Sequence, residues 1–154
     1  MSDHDLRFQS SVLRRRLGLP PWAIVGLALL GVPRILAHDL GITSPPIQGL
    51  LTLGPAIVWI FVVLRAKVPS PVVTLLAVGV VYGLALGIVH NLMWGQVFGD
   101  NPPELGVLDA DTAEVPLRFA TFVSSLFTGA AVGLVIGVIV HGLRAVGQRN
   151  NRAG

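Results

Sequence analysis

Four long apolar stretches, each about as long as a bilayer is thick, constrain this chain more than any other feature. A helix needs about 20 residues to cross roughly 30 Å of hydrocarbon at about 1.5 Å per residue. The stretches run from about Pro21 to Leu40, Ile47 to Leu64, Val72 to Met93 and Leu117 to Leu143. No water reaches backbone N–H and C=O groups at that depth, so such stretches must close their hydrogen bonds internally, as helices. The expected fold class is all-α: a polytopic membrane protein whose four transmembrane helices form a compact bundle.

Prolines mark the edges of the stretches, with Pro20 and Pro21, Pro45 and Pro46, Pro69 and Pro71, and Pro116. Proline suits the first turn of a helix, where its missing N–H would have had no partner. Pro33 and Pro55 lie inside stretches and predict kinks, which a bilayer helix tolerates when its neighbours satisfy the freed carbonyls.

Charge agrees with this reading. Only 12% of the 154 residues are Asp, Glu, Lys or Arg, and 53% are hydrophobic, with a mean hydropathy of +0.74. A soluble domain carries about 25% charged residues. That deficit excludes a soluble enzyme, a disordered chain and, despite a pI near 10.6, a nucleic-acid binder. The expected partners are the lipid bilayer and either further copies of the chain or a larger membrane complex. The absence of cysteine removes disulfide frameworks, thiolate nucleophiles, zinc knuckles and thiol redox pairs.

Orientation follows from where the basic residues fall. With the N-terminus inside, the cytoplasmic face holds Arg7, Arg14, Arg15, Arg16, Arg65, Lys67, Arg144, Arg149 and Arg152, and the outside only Arg34 and Arg118. Acids mirror them, with Asp39, Asp100, Glu104, Asp109, Asp111 and Glu114 outside and Asp3 and Asp5 inside. The chain is therefore expected N-in and C-in. Residues 1–19 form a basic cytoplasmic segment, 20–143 the transmembrane domain with an acidic external loop at 94–115, and 144–154 a cytoplasmic tail. Arg14-Arg15-Arg16 is expected to anchor the first span, because the apolar run that follows lacks a signal-peptide cleavage pattern. Ten arginines against one lysine suggest a bacterial source, hence an inner (plasma) membrane.

The long loop has its own signals. Gly99-Asp100-Asn101-Pro102-Pro103 is strong turn chemistry, and Asp111 and Glu114 before Pro116 resemble a capping box starting the fourth helix. Trp94 and Phe98 suit the headgroup level. Asp109, Asp111 and Glu114 lack the glycine and remaining oxygen ligands of a calcium loop.

Small residues recur every fourth position in the last two spans: Gly79, Gly83 and Gly87 in the third, and Ser125, Gly129, Gly133 and Gly137 in the fourth. Lipid is as apolar as leucine, so helices in a bilayer associate through close packing that such ridges permit. The ridges predict a tight antiparallel hairpin of spans three and four, with a homodimer face as the alternative. A weaker likeness pairs Ile35-Leu36-Ala37-His38-Asp39-Leu40 with Gly87-Ile88-Val89-His90-Asn91-Leu92, 52 residues later, and hints at a duplicated hairpin.

Polar groups within the spans crowd into the outer halves. Arg34, His38, Asp39, His90 and Asn91, with Arg118 at the rim, define a polar pocket opening to the extracytoplasmic side. Ionisable residues at membrane depth are costly and point to function. Arg34 lies six residues before Leu40, about 9 Å below the outer interface, with His38 on the same face. It either snorkels to the headgroups or, together with Arg118, forms a cationic site for an anionic headgroup or ligand. His38 and His90 sit at similar depth and could ligate haem b axially or, with Asp39, a divalent metal. His141, at the inner end, reads as an interfacial residue. No nucleophile–base motif such as G-x-S-x-G is present, and Ser124 and Ser125 read as packing hydroxyls.

These features favour a binding, assembly or accessory subunit that is not an enzyme. A dimeric small-solute transporter or channel is the first alternative, and a haem- or metal-binding redox protein using His38 and His90 the second. No carboxylate lies near the bilayer centre, which argues against a proton-coupled carrier.

Overall fold

Proline occupies the first or second position of each of the first four helices. Its fixed φ and absent N–H suit the turn where amide donors have no partner, and none of these helices has a side-chain cap. The computed structural model describes residues 16–42, 44–99, 106 and 110–153, with side chains in the last stretch from 112 to 149. The helices are α1 (Pro21–Leu29), α2 (Val32–Asp39), α3 (Pro45–Arg65), α4 (Pro71–Leu92), α5 (Trp94–Phe98) and α6 (Ala110–Ala153), and no strand occurs among the described residues. Four helical spans are long and apolar enough to cross a membrane: α1 and α2 taken together, α3, α4 and α6.

The first span is broken as well as bent. Leu30 and Gly31 donate to Leu27 and Ala28 in tight turns, and helix resumes at Val32 with Pro33 in its first turn. The break is packed. Trp59 of α3 donates its indole N–H to the Leu27 carbonyl at 2.7 Å, and its ring meets Tyr82 of α4 edge-on at 5.9 Å. Gly31 lies against Tyr82 so closely that a Cβ there would fall 2.7 Å from ring carbon Cδ2. α3 by contrast runs unbroken through Pro55.

α4 is the centre of the molecule. Within its most apolar window 44% of residues are buried, against 11% for α3. The outer row of α3, with Leu50, Leu53, Ile57 and Phe61, is exposed, as suits a lipid-facing surface. α4 packs along α6 through the small residues. A methyl group on Gly79 would lie 2.8 Å from Gly133 Cα, and one on Gly83 2.9 Å from Leu126 Cα. One on Gly137 would lie 2.8 Å from Val72 Cα. At Gly87 the neighbour changes from backbone to the Phe122 ring, so the two helices diverge towards that end.

α6 differs most from expectation. It runs for 44 residues, about 66 Å at 1.5 Å per residue, past both expected edges at Leu117 and Leu143. Pro116 lies inside it. Instead of closing a capping box, Glu114 reaches forward to Arg118, an i,i+4 ion pair at 2.7 Å that supports the early turns. Asp111's side chain, Asp109 and the 100–105 turn lie outside the described residues.

The end of the hairpin near residue 70 is heavily tied. Arg144 of α6 donates through Nη1 to the Val68 carbonyl and through Nη2 to the Val63 carbonyl, both at 2.6 Å. Val63 lies in the last turn of α3, where carbonyls lack helical partners and a cation also opposes the helix dipole. Gly18, in the left-handed region at φ +64°, lets the incoming chain lie against Val68 and Pro69. The buried Thr74 hydroxyl sits 2.7 Å from the Leu17 carbonyl and 2.8 Å from the Ser70 carbonyl, joining two segments across this end.

Candidate functional site

At the opposite end, where α4 and α6 diverge, a cavity of about 520 Å³ opens between α2 and α6 over a floor supplied by α4. Helical spacing builds its walls. Arg34 and Ile35 project from α2 with His38 one turn further along the same face. Ala120, Ser124 and Thr128 follow at i+4 intervals on α6, beside Thr121 and Ser125, and Leu86 and His90 rise from α4. α2 and α6 barely touch, which leaves the cleft open.

Asp39 organises the rim. Its side chain is 2% exposed, and its two carboxylate oxygens meet two imidazoles. His38 Nδ1 lies 3.2 Å from Oδ1 and His90 Nδ1 2.9 Å from Oδ2. An ionised carboxylate only accepts, so with Asp39 charged both rings carry a proton on Nδ1 and keep only Nε2 to meet a ligand. The His90 contact joins α2 to α4, and both histidines line the cavity. Residues 52 apart in sequence thus meet at one carboxylate, although the spans carrying them differ in shape, one broken and one continuous.

Arg34 is the unbalanced group. Among the described residues it makes no hydrogen bond or ion pair, although Asp39 lies little more than one turn along the same helix. It also lines a second cavity of about 90 Å³ between α3 and α6, which shares Thr128 with the first.

The structure does not bring Arg118 and Asn91 to this cavity. They form a separate cluster at the base of the long loop. Asn91 Nδ2 donates to the Gly87 carbonyl at 2.8 Å, and Arg118 Nη1 donates to the Asn91 carbonyl at 3.1 Å. The Arg118 guanidinium also lies 5.2 Å from the centre of the buried Trp94 ring, a cation–π distance, and pairs with Glu114. Trp94 stacks on Phe98 at 4.5 Å. Arg118 is thus engaged by Glu114, Asn91 and Trp94, although its buried Nε has no hydrogen-bond partner among the described residues, and Arg34 is the only arginine or lysine lining the cavity.

Ser125 and the glycines of spans three and four lie on the α4–α6 seam, where the Ser125 carbonyl faces Gly83. His141 is exposed. Among the described residues, no three His, Cys, Asp or Glu side chains are grouped to hold a metal ion. Two features escape sequence reasoning: Thr128, whose signal is its place one turn beyond Ser124, and the second cavity, which no local pattern announces. No protein family, curated protein or solved structure matches this chain, so any function rests on the geometry of the site itself.

Proposed function

We propose that this chain is a membrane-embedded binding or accessory protein that receives an anionic group at Arg34. Its seating would be N-in and C-in, with the cavity open to the extracytoplasmic side. One observation carries the reading: Arg34 lines a cavity of about 520 Å³ and has no partner among the described residues. A guanidinium at membrane depth costs about 2.5–3.5 kcal/mol at the centre of a span, and such groups pair or face water. Arg118 and Arg144 both have partners in the protein. Arg34 is exposed and has no partner among the described residues, and a carboxylate or phosphate supplied by a ligand would match its planar fork. His90 Nε2 and the hydroxyls of Thr121, Ser124 and Thr128 would complete the contacts.

The distribution of Arg and Lys supports the orientation, and the arginine bias supports a bacterial inner membrane. Reporter fusions after Arg65 and after Asp109 test the seating, and a cytoplasmic reporter at 109 would overturn it. For binding, purified wild type and Arg34→Gln are titrated with inorganic phosphate, a short-chain carboxylate and an anionic lipid. Binding of at least one probe should weaken about ten- to hundredfold in the variant, as expected for losing a charge-assisted contact. Equal titrations with every probe would overturn the assignment.

A further inference from the structure

The second cavity is narrow and lined mainly by apolar side chains. Leu51, Pro55 and Ala56 of α3 face Val132 and Ile136 of α6 across it, and Arg34 and Thr128 close one end. From Thr128 to Ile136 the slot runs away from the Asp39 rim and towards the closed end of the α4–α6 hairpin. One charged group thus stands at the outer end of a narrow apolar channel. That is the layout of an amphiphile lying in one leaflet, with its headgroup outward and its chain directed to the bilayer centre.

We propose that the anionic ligand is an amphiphile taken from the bilayer, its acidic headgroup on Arg34 and the first few methylenes of an acyl chain in the slot of about 90 Å³ between α3 and α6. This rests on the assignment of Arg34 as an anion site and adds the chemistry of the rest of the ligand. The access route supports a membrane source. α2 and α6 barely meet, and α3, the least buried span, flanks the slot. On α6 the row Ala120, Ser124, Thr128 and Val132 is exposed and made of small or branched short side chains, which leaves the cleft open sideways. Each methylene withdrawn into protein from lipid gains little. The slot therefore selects by shape, and the headgroup contact supplies most of the preference for acidic over zwitterionic lipid.

The test uses native mass spectrometry of the full chain from micelles containing equal phosphatidylglycerol and phosphatidylcholine, with glycerol phosphate titrated separately as the soluble anion. Wild type should retain phosphatidylglycerol over phosphatidylcholine by about tenfold, and Arg34→Gln should remove that preference. Ala56→Phe fills the slot and leaves Arg34 in place. It should lower phosphatidylglycerol retention about tenfold while leaving glycerol phosphate binding unchanged. Val132→Phe, from the opposite wall, should repeat the result, and helical circular dichroism equal to wild type shows that each variant is folded. Phosphatidylglycerol retained equally by both plugged variants would overturn the amphiphile. Glycerol phosphate bound as tightly as the lipid, and dependent on Arg34, would also overturn it but leave the anion site standing. Indifference of every probe to Arg34→Gln would overturn both.

Discussion

The two ends of the α4–α6 hairpin are built from the same kinds of residue and behave differently. From Val72 to Gly83, backbone lies on backbone: glycines face glycines, Arg144 holds the carbonyls of Val63 and Val68, and the incoming chain folds onto Val68 and Thr74. Beyond Gly83 the contact passes to the Phe122 side chain, the helices part, and a cavity opens beside an arginine that no described residue pairs with. At the closed end a cation is matched to carbonyls left free by a helix terminus. At the open end a cation faces space, while the one buried carboxylate nearby serves two imidazoles. The difference teaches that cations in this chain have two uses: Arg144 and Arg118 fasten backbone between helices, whereas Arg34 stands at an open cavity without such a partner among the described residues.

Substitutions should separate the two ends. The largest effect is expected from Gly133→Leu, which puts a branched side chain where even a methyl group would lie 2.9 Å from Gly79 Cα. Overpacking against backbone cannot relax by a rotamer change, so a loss of about 3 kcal/mol or more is expected, read as a lowered Tm in detergent. Gly87→Ala meets only the edge of the Phe122 ring, and its Tm should fall much less. Equal losses at the two glycines would break the distinction.

Arg144→Met comes next. It strands the Val63 and Val68 carbonyls and should destabilise by about 2 kcal/mol. Arg144→Lys, which lacks the planar fork, should recover only part of that in the same unfolding assay. Asp39→Asn retains one acceptor oxygen and removes the charge shared by His38 and His90, so a loss of about 1 kcal/mol is expected. Faster amide hydrogen exchange in α2, with α4 and α6 near Gly133 unchanged, would show that the loosening stays at the open end. Faster exchange at both ends would sink that claim.

The smallest effect on stability belongs to the residue given the largest functional role. Arg34→Gln removes no hydrogen bond or ion pair among the described residues and should leave the stability within about 0.5 kcal/mol of wild type, read as a nearly unchanged Tm. A large destabilisation would mean that Arg34 is a fastener after all, and the contrast between the ends would fail.

Much of the architecture is legible in the residues alone. The prolines at 45 and 71 place α3 and α4 to within a residue or two, because proline at a helix start is a local effect. The glycines that meet across α4 and α6 can be named in advance, since close approach of two backbones demands missing side chains. Other features resist. The length of α6 depends on charged flanks such as Glu114 and Arg118 that continue a helix as readily as they end one. The break at Gly31 is secured by Trp59 and Tyr82, residues 28 and 51 positions away. Read from the sequence, Arg118 is a companion of Arg34, yet its position on α6 turns it towards Trp94 and Asn91.

By itself the sequence determined that this chain has four apolar helices able to cross a bilayer, where three of them begin, and which small residues could let two of them touch. Those are consequences of local hydrogen bonding and of the period of the helix. Only the tertiary structure decided that Asp39 is held between His38 and His90, that Arg144 has partners, and that Arg34 has none among the described residues. The rotation of each helix about its axis is set by packing against its neighbours, and a few tens of degrees separate a paired arginine from an open site.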